Sequence, residues 1–99
     1  MRNDVSAQDQ SLVRSLVQQV VPGARVMLFG SRVQGTHRPA SDLDVAIDDG
    51  KPLSLETFSQ LRLAFSESSL PYFVDIVDWY SVSDEFRHAV ENQVVVLTK

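Results

Sequence analysis

The segment that decides the fold is "MLFGSRVQGTHRPASDLDVAIDD", from Met27 to Asp49. An apolar run ends at Gly30-Ser31, ten residues of mostly polar character follow, and Asp42-Leu43-Asp44 then opens a second apolar run. Side chains alternate along a strand, so the two Asp residues share one face, with Cα atoms roughly 6.5 to 7 Å apart. Like charges at this spacing repel unless a cation lies between them. The segment therefore predicts a strand that carries a cation site.

Hydrophobic periodicity divides the whole chain into alternating helices and strands. The predicted helices are 8–20, from Ser54 to about residue 67, and after Ser83; the predicted strands are 25–29, 42–48 and 72–79. Residues 94–98 form either a last short edge strand or an apolar tail. This order predicts an α+β fold, a small mixed β-sheet with helices mainly on one face. A length of 99 residues predicts a single domain over residues 1–99.

Composition narrows the function. The formal net charge of −4 and the pI of about 4.9 argue against a general nucleic-acid binder, because phosphate backbones are bound largely through Lys and Arg. A small nucleotide stays possible, because a metal ion can supply positive charge. The chain has no cysteine, which excludes disulfides and thiolate metal sites. No apolar run reaches the roughly 18 residues of a membrane span, and a cytoplasmic location is expected.

A third acid completes the predicted cation site. Asp75 lies within the apolar strand "FVDIV", where a lone carboxylate is otherwise costly. If that strand neighbours the Asp42–Asp44 strand, three carboxylates converge and can hold two Mg²⁺ ions. Asp48 and Asp78 lie at strand ends, where Asp more often caps a turn or faces water.

Gly30-Ser31 allows two interpretations. Glycine lets a ligand approach the backbone, and a helical turn that begins at Ser31 would direct free N–H groups toward a phosphate. The same pair could simply be a strand-to-helix turn with a Ser cap. A P-loop is disfavoured because Thr36 stands where the Lys belongs. An EF-hand beginning at Asp42 is disfavoured because Ile47 replaces its Gly.

The combined pattern resembles a known superfamily. Gly30-Ser31, ten residues and Asp42-Leu43-Asp44 resemble the G-S-x10-D-x-D signature of nucleotidyltransferases related to DNA polymerase β. "FGSRVQGTHRPASDLDVAI" is similar to the corresponding stretch of the minimal nucleotidyltransferase (MNT) antitoxins, and "VDIVDW" to their third-carboxylate strand. The resemblance covers roughly residues 12–97 and implies a polymerase β-like nucleotidyltransferase fold.

The resemblance implies a function. It suggests a Mg²⁺-dependent protein adenylyltransferase that acts as the antitoxin of a HEPN-domain RNase toxin in a type VII toxin–antitoxin pair. AMP would pass from ATP to a toxin tyrosine within a hetero-oligomer, with no direct contact with nucleic acid or membrane. With 99 residues, the chain is expected to be too short for the extra domains with which larger relatives grip nucleic-acid primers, which argues against polymerase or tRNA-tailing activity. An alternative is a non-catalytic antitoxin that binds its toxin through apolar surface, such as the exposed side of the first helix or Trp79-Tyr80, which otherwise would cap the core.

The resemblance also implies a nucleotide site. Gly30 and Ser31 would hold the triphosphate. Arg32 would either contact phosphate or pair with a surface acid. His37 and Arg38 lie in the loop that follows, and the sequence assigns neither a role.

The same resemblance implies the metal ligands. Asp42 and Asp44 would bind two Mg²⁺ ions. Asp75 would bind one of them and help to activate the attacking hydroxyl. All three acids would then be catalytic.

Overall fold

The computed structural model describes residues 5–34 and 42–98, in which four helices alternate with four strands. The elements are α1 (Ala7–Val20), β1 (Arg25–Phe29), α2 (Ser31–Gln34), β2 (Leu43–Asp48), α3 (Leu55–Ser66), β3 (Val74–Asp78), α4 (Asp84–Val90) and β4 (Val95–Val96). The predicted order is confirmed, and β4 is the short strand that the sequence left undecided. α2 is a single helical turn that begins at Ser31, where the sequence allowed one. Fully buried Val33 joins this turn to the core.

The strands form one mixed sheet in the order β3-β2-β1-β4. β1 is antiparallel to both β2 and β4, whereas β2 and β3 are parallel. The end of β1 therefore lies beside the beginning of β2 and, one strand further, the beginning of β3. The predicted site residues therefore lie together at these adjoining strand ends, which are called the site edge of the sheet below.

The two faces of the sheet have separate apolar clusters. Leu43, Val45 and Ile47 lie in the larger cluster, which includes buried side chains of α1 and α3. The intervening Ala46 lies in a smaller cluster on the other face, together with residues of α4 such as Phe86. The two longest helices thus share a face, as predicted, and α4 partly covers the other.

Serine caps define where the longer helices begin. The hydroxyl at each N-cap accepts a hydrogen bond from the backbone N–H three residues later, at 3.1 Å in every case, in the pairs Ser6–Asp9, Ser54–Thr57 and Ser83–Phe86. A cap of this kind stabilises a helix by about 1 kcal/mol. The longest helix, α1, has 14 residues, and no helix among the described residues combines the length and apolar composition that crossing a bilayer requires.

Candidate active site

The three predicted acids lie at the site edge of the sheet, where β2 and β3 begin. In the parallel pairing of β2 with β3, Asp44 is the register partner of Asp75. Asp42 directly precedes β2 and is exposed. The strand adjacency that the sequence argument assumed is therefore present, and it brings carboxylates 31 positions apart in the chain onto neighbouring strands.

The electrostatics of Asp44 reflect this arrangement. Burial, followed by the negative charges of Asp75 and Asp42, raises the pKa of the Asp44 carboxyl from 3.8 to about 6. The three carboxylates interact, yet within residues 5–34 and 42–98 no group of three acidic or histidine side chains is already gathered closely enough to hold an ion. Carboxylate oxygens are the ligands that Mg²⁺ prefers, so the donor chemistry fits. An ion at this edge would require the side chains to turn toward a common point.

Gly30 brings the end of β1 against the carboxylate strand. Its φ of +86° lies in the left-handed region, which glycine adopts without strain. A Cβ at this position would overlap the Asp44 carboxylate, with Asp44 Cγ only 3.0 Å away. Ser31 then begins α2. The proposed phosphate turn and the proposed metal strand are thus in direct contact, and only glycine allows that approach.

Arg32 occupies a place that the sequence did not indicate. The residue is only 7% exposed, a degree of burial that the sequence did not indicate. The guanidinium carbon lies 4.1 Å from the centroid of the Tyr72 ring, within the range of a cation–π contact. The Tyr72 hydroxyl donates to Asp9 Oδ2 at 2.8 Å. Through Asp9, Tyr72 and Arg32, these two contacts connect α1, the segment before β3 and α2. They fix the Arg32 side chain next to the Gly30-Ser31 turn.

Tyr72 and Asp9 were missed by sequence reasoning. Asp9 lies in the first turn of α1, where an acid is ordinary. Tyr72 was taken as part of an apolar strand and lies just before β3 instead. Nothing local marks either residue, because their hydrogen bond spans 63 positions.

Substitutions of Tyr72 should show how much its hydrogen bond to Asp9 and its contact with Arg32 each contribute to stability. Tyr72→Phe keeps the ring beside Arg32 and loses the hydrogen bond to Asp9, which should lower the free energy of unfolding by about 0.5 to 1.5 kcal/mol. Tyr72→Leu also removes the cation–π contact, and should cost roughly 0.5 to 2 kcal/mol more. Urea denaturation of the wild type and both variants measures these steps. Equal stability of the Phe and Leu variants would show that the ring contact contributes nothing.

Asp48 and Asp78 have the structural roles that the sequence indicated. Asp48 Oδ1 accepts from the Gly50 N–H at 2.9 Å, closing the turn after β2. Asp78 Oδ2 accepts from the Leu53 N–H at 3.0 Å and from the Ser81 hydroxyl at 2.7 Å. Both acids lie at the opposite ends of their strands from Asp44 and Asp75. They are therefore not part of the candidate site.

The remaining sequence candidates have different positions. Trp79 packs in the smaller apolar cluster, as expected of a residue that caps the core, whereas Tyr80 is about half exposed. His37 and Arg38 lie outside the described residues. The described site thus rests on Gly30, Ser31 and Arg32 together with the three acids.

The raised pKa of Asp44 predicts an unusual stability profile. Between pH 4 and pH 6 the Asp44 carboxyl binds more protons in the folded protein than in the unfolded chain. The contribution of Asp44 to the free energy of unfolding therefore falls as the pH rises through this interval, and it is constant above pH 6. We expect metal-free Asp44→Asn to gain about 1 kcal/mol relative to the wild type over that interval, once solvent screening is allowed for. Urea denaturation in a chelating buffer from pH 4 to pH 8 measures the difference.

Mg²⁺ supplies the corresponding control. At pH 7 it should raise the Tm of the wild type by binding the folded state. It should leave the Tm of Asp44→Asn nearly unchanged. A stability difference that is flat from pH 4 to pH 8 would contradict the assigned electrostatics.

Comparison with known proteins agrees with the geometry. The family model described as polymerase beta, nucleotidyltransferase matches residues 13–99. The chain is 40% identical over 94 residues to the probable protein adenylyltransferase MntA of Haemophilus influenzae, covering 95% of this chain and 82% of that protein.

Solved structures give the same result. One is a toxin–antitoxin with AMP-PNP (28% identity, TM-score 0.79), with 91% of this chain and 73% of that chain covered. Another is a tri-AMPylated Shewanella oneidensis HEPN toxin in complex with MNT antitoxin (24% identity, TM-score 0.69, coverage 90% and 68%), and at that identity the likeness concerns the fold alone. With its glycine turn, its three strand-edge acids and a family match over most of its length, the chain belongs to the polymerase β nucleotidyltransferase family.

Proposed function

We propose that this protein is a Mg²⁺-dependent protein adenylyltransferase that acts as the antitoxin of a HEPN-type RNase toxin in a type VII pair. AMP would be moved from ATP to a tyrosine of the toxin. The observation that carries the proposal is the sheet edge where Asp42, Asp44 and Asp75 meet the Gly30 turn. The 40% identity to a protein named as an adenylyltransferase, and the likeness to a toxin–antitoxin with AMP-PNP, support the same activity.

The acids have distinct roles in this proposal. Asp42 and Asp44 would hold two Mg²⁺ ions, and Asp75 would share one of them. Held by these carboxylates, the ions would supply the positive charge that a displacement at phosphorus requires. Asp75 would in addition face the incoming hydroxyl and take up its proton. A set of three acids is consistent with a retained active site, because a purely structural role would not require carboxylates that repel each other.

The chain's remaining site residues would position the nucleotide. Gly30 allows the triphosphate to approach the backbone at the end of β1, and the Ser31 hydroxyl adds a donor. Arg32 is held by the Tyr72 ring close to this turn, where its charge would offset that of the phosphates. Most of the rate enhancement would then come from positioning and charge neutralisation.

A binding antitoxin without catalysis is the alternative. Phe73 is 83% exposed and Leu63 60% exposed, and exposed apolar side chains suit a partner surface. Both functions require a toxin complex, so only a chemical assay separates them.

Intact-mass spectrometry of the toxin supplies that assay. The protein is mixed with ATP, Mg²⁺ and the toxin encoded by the neighbouring gene, and the toxin is weighed before and after. The proposal expects the mass of one or more AMP groups on the toxin, and none when the metal is chelated. If the complex forms but the mass of the toxin does not increase, the adenylyltransferase proposal is wrong and the non-catalytic binding antitoxin is the better explanation.

A further inference from the structure

Three residues from distant parts of the chain form a small cluster behind the candidate site. The Arg32 guanidinium carbon lies 4.1 Å from the centroid of the Tyr72 ring, and the Tyr72 hydroxyl donates to Asp9 Oδ2 at 2.8 Å. Tyr72 packs against the larger apolar cluster, on the face of the sheet that α1 and α3 cover. The Asp44 side chain lies on the opposite face, because side chains alternate along β2 and Ala46 belongs to the smaller cluster. The cluster is therefore separate from the carboxylates.

The Gly30-Ser31 turn depends on the side chains that follow it. α2 has only four residues, and a single helical turn is not stable by itself because helix nucleation is unfavourable. Its position is therefore set by what it buries, namely Arg32, which is 7% exposed, and Val33, which is fully buried. Apolar burial of Val33 has no preferred direction, whereas the planar guanidinium of Arg32 lies over the Tyr72 ring in a defined orientation. The ring contact thus fixes α2 and the turn immediately before it.

Tyr72 is itself fixed at two points. Burial, followed by the hydrogen bond to Asp9, raises the pKa of the Tyr72 hydroxyl, so this hydroxyl stays protonated as a donor well above neutral pH. Its backbone leads into β3, and the next carbonyl, that of Phe73, accepts from the Leu43 N–H at 2.8 Å. Asp75 follows three residues after Tyr72. Tyr72 therefore connects the proposed phosphate turn with the strand that carries the third acid.

We propose that Tyr72, held by Asp9, is a positioning residue that aligns the Gly30-Ser31 turn with the three acids by way of Arg32. This rests on the proposed function and adds to it the residues that align the phosphate turn with the metal ligands. Tyr72 and Asp9 act from the other face of the sheet and touch neither nucleotide nor metal. Loosening their contacts should therefore weaken ATP binding and leave toxin binding unchanged.

Steady-state kinetics distinguish a positioning role from a purely structural one. Tyr72→Leu removes both contacts and should raise the KM for ATP by about 5-fold or more, while the KM for toxin stays within about 2-fold. Tyr72→Phe keeps the ring and should raise the KM for ATP by only about 3-fold. A purely structural role would lower the folded fraction, and with it the apparent kcat, without a change in either KM. An unchanged KM for ATP in Tyr72→Leu would overturn the proposal, and so would an equal rise in both KM values.

Asp9 supplies the conservative variants. Asp9→Ala should raise the KM for ATP as much as Tyr72→Phe does, because both substitutions remove the same hydrogen bond. The double variant should show no further rise, whereas independent effects would multiply to about 9-fold and would overturn the proposed role of the pair. Asp9→Asn keeps a side-chain oxygen that can accept from the Tyr72 hydroxyl, so its KM for ATP should return close to that of the wild type.

Arg87→Met is the matched control. Arg87 also makes an arginine–aromatic contact, with its guanidinium carbon 6.0 Å from the Trp79 ring, and it donates to the Trp79 and Tyr80 carbonyls at 2.9 Å. These contacts lie at the end of β3 away from the site, so the substitution should lower stability while the KM for ATP stays within about 2-fold. A rise equal to that of Tyr72→Leu would mean that lost stability causes both effects, and would overturn the proposal.

Titration calorimetry with AMP-PNP and Mg²⁺, in the absence of toxin, adds a measurement that does not depend on transfer. The Kd should rise in Tyr72→Leu by about the same factor as the KM for ATP and stay unchanged in Arg87→Met. An unchanged Kd in Tyr72→Leu would overturn the positioning role alone. Absence of AMP transfer by a wild-type protein that binds AMP-PNP would instead remove the proposed function, so the two failures are distinguishable.

Discussion

Asp44→Asn should reduce transfer of AMP to the toxin by about 10³-fold or more while the toxin complex still forms. Asp44 is the half-buried acid at the centre of the site, opposite Asp75 and against Gly30. Asn has nearly the same shape but carries no charge, so it would bind the proposed Mg²⁺ ions, and with them the charge at phosphorus, less well. Intact-mass spectrometry of the toxin over time measures the rate, and titration calorimetry measures toxin affinity.

Asp48→Asn is the matched control for this substitution. Asp48 lies on the same strand four residues later, and its carboxylate accepts from the Gly50 N–H instead of facing the site. Its replacement should change the transfer rate by less than about 3-fold and cost at most about 1 kcal/mol of stability. Equal loss of activity in both variants would mean that the effect comes from the strand and not from the proposed metal ligand.

Gly30→Ala should reduce both activity and stability. The positive φ of Gly30 costs a residue with a side chain about 1 kcal/mol or more, and the added methyl would occupy the space of the Asp44 carboxylate. We expect a loss of roughly 2 to 4 kcal/mol in the free energy of unfolding. Because Asp44 must move, the transfer rate should also fall by at least about 100-fold. Urea denaturation and the toxin-mass assay measure the two effects.

Gly23→Ala separates backbone strain from the clash. Gly23 has nearly the same φ, +83°, but an added Cβ would meet nothing within 4 Å. It should therefore lose about 1 kcal/mol and keep its activity. The excess loss in Gly30→Ala would measure the contact with Asp44. Equal stability losses in the two variants would show that the Asp44 contact has no energetic weight.

Local patterns in the sequence predicted much of the fold. Leu43, Val45 and Ile47 alternate with Asp or Ala, which indicated a strand, and these three side chains lie in the larger core cluster. A helix was predicted to begin at Ser54, and the Ser54 hydroxyl is the N-cap of α3. Such features depend on residues a few positions apart, which is why they can be seen in the sequence. The same holds for the glycine turn and the Asp42–Asp44 pair.

Other features could not be seen in the sequence. The sequence allowed a helical turn at Ser31, but it did not show that Val33 of this turn is fully buried in the core. The sequence left Arg32 with two alternatives, a phosphate contact or an ion pair, and gave no sign that it is buried against Tyr72. In each case tertiary packing, not local preference, decides the conformation.

The sequence by itself determined the type of chemistry: a glycine turn at the end of one strand, a pair of carboxylates at the start of the next, and the family to which that spacing belongs. Only the tertiary structure decided which distant groups join them. Asp75 lies beside Asp44 because β3 pairs in parallel with β2, and Arg32 is held beside the Gly30 turn because Tyr72, 40 positions later in the chain, packs against it. Strand order and helix packing depend on contacts between residues far apart in the chain, and no short-range pattern records them.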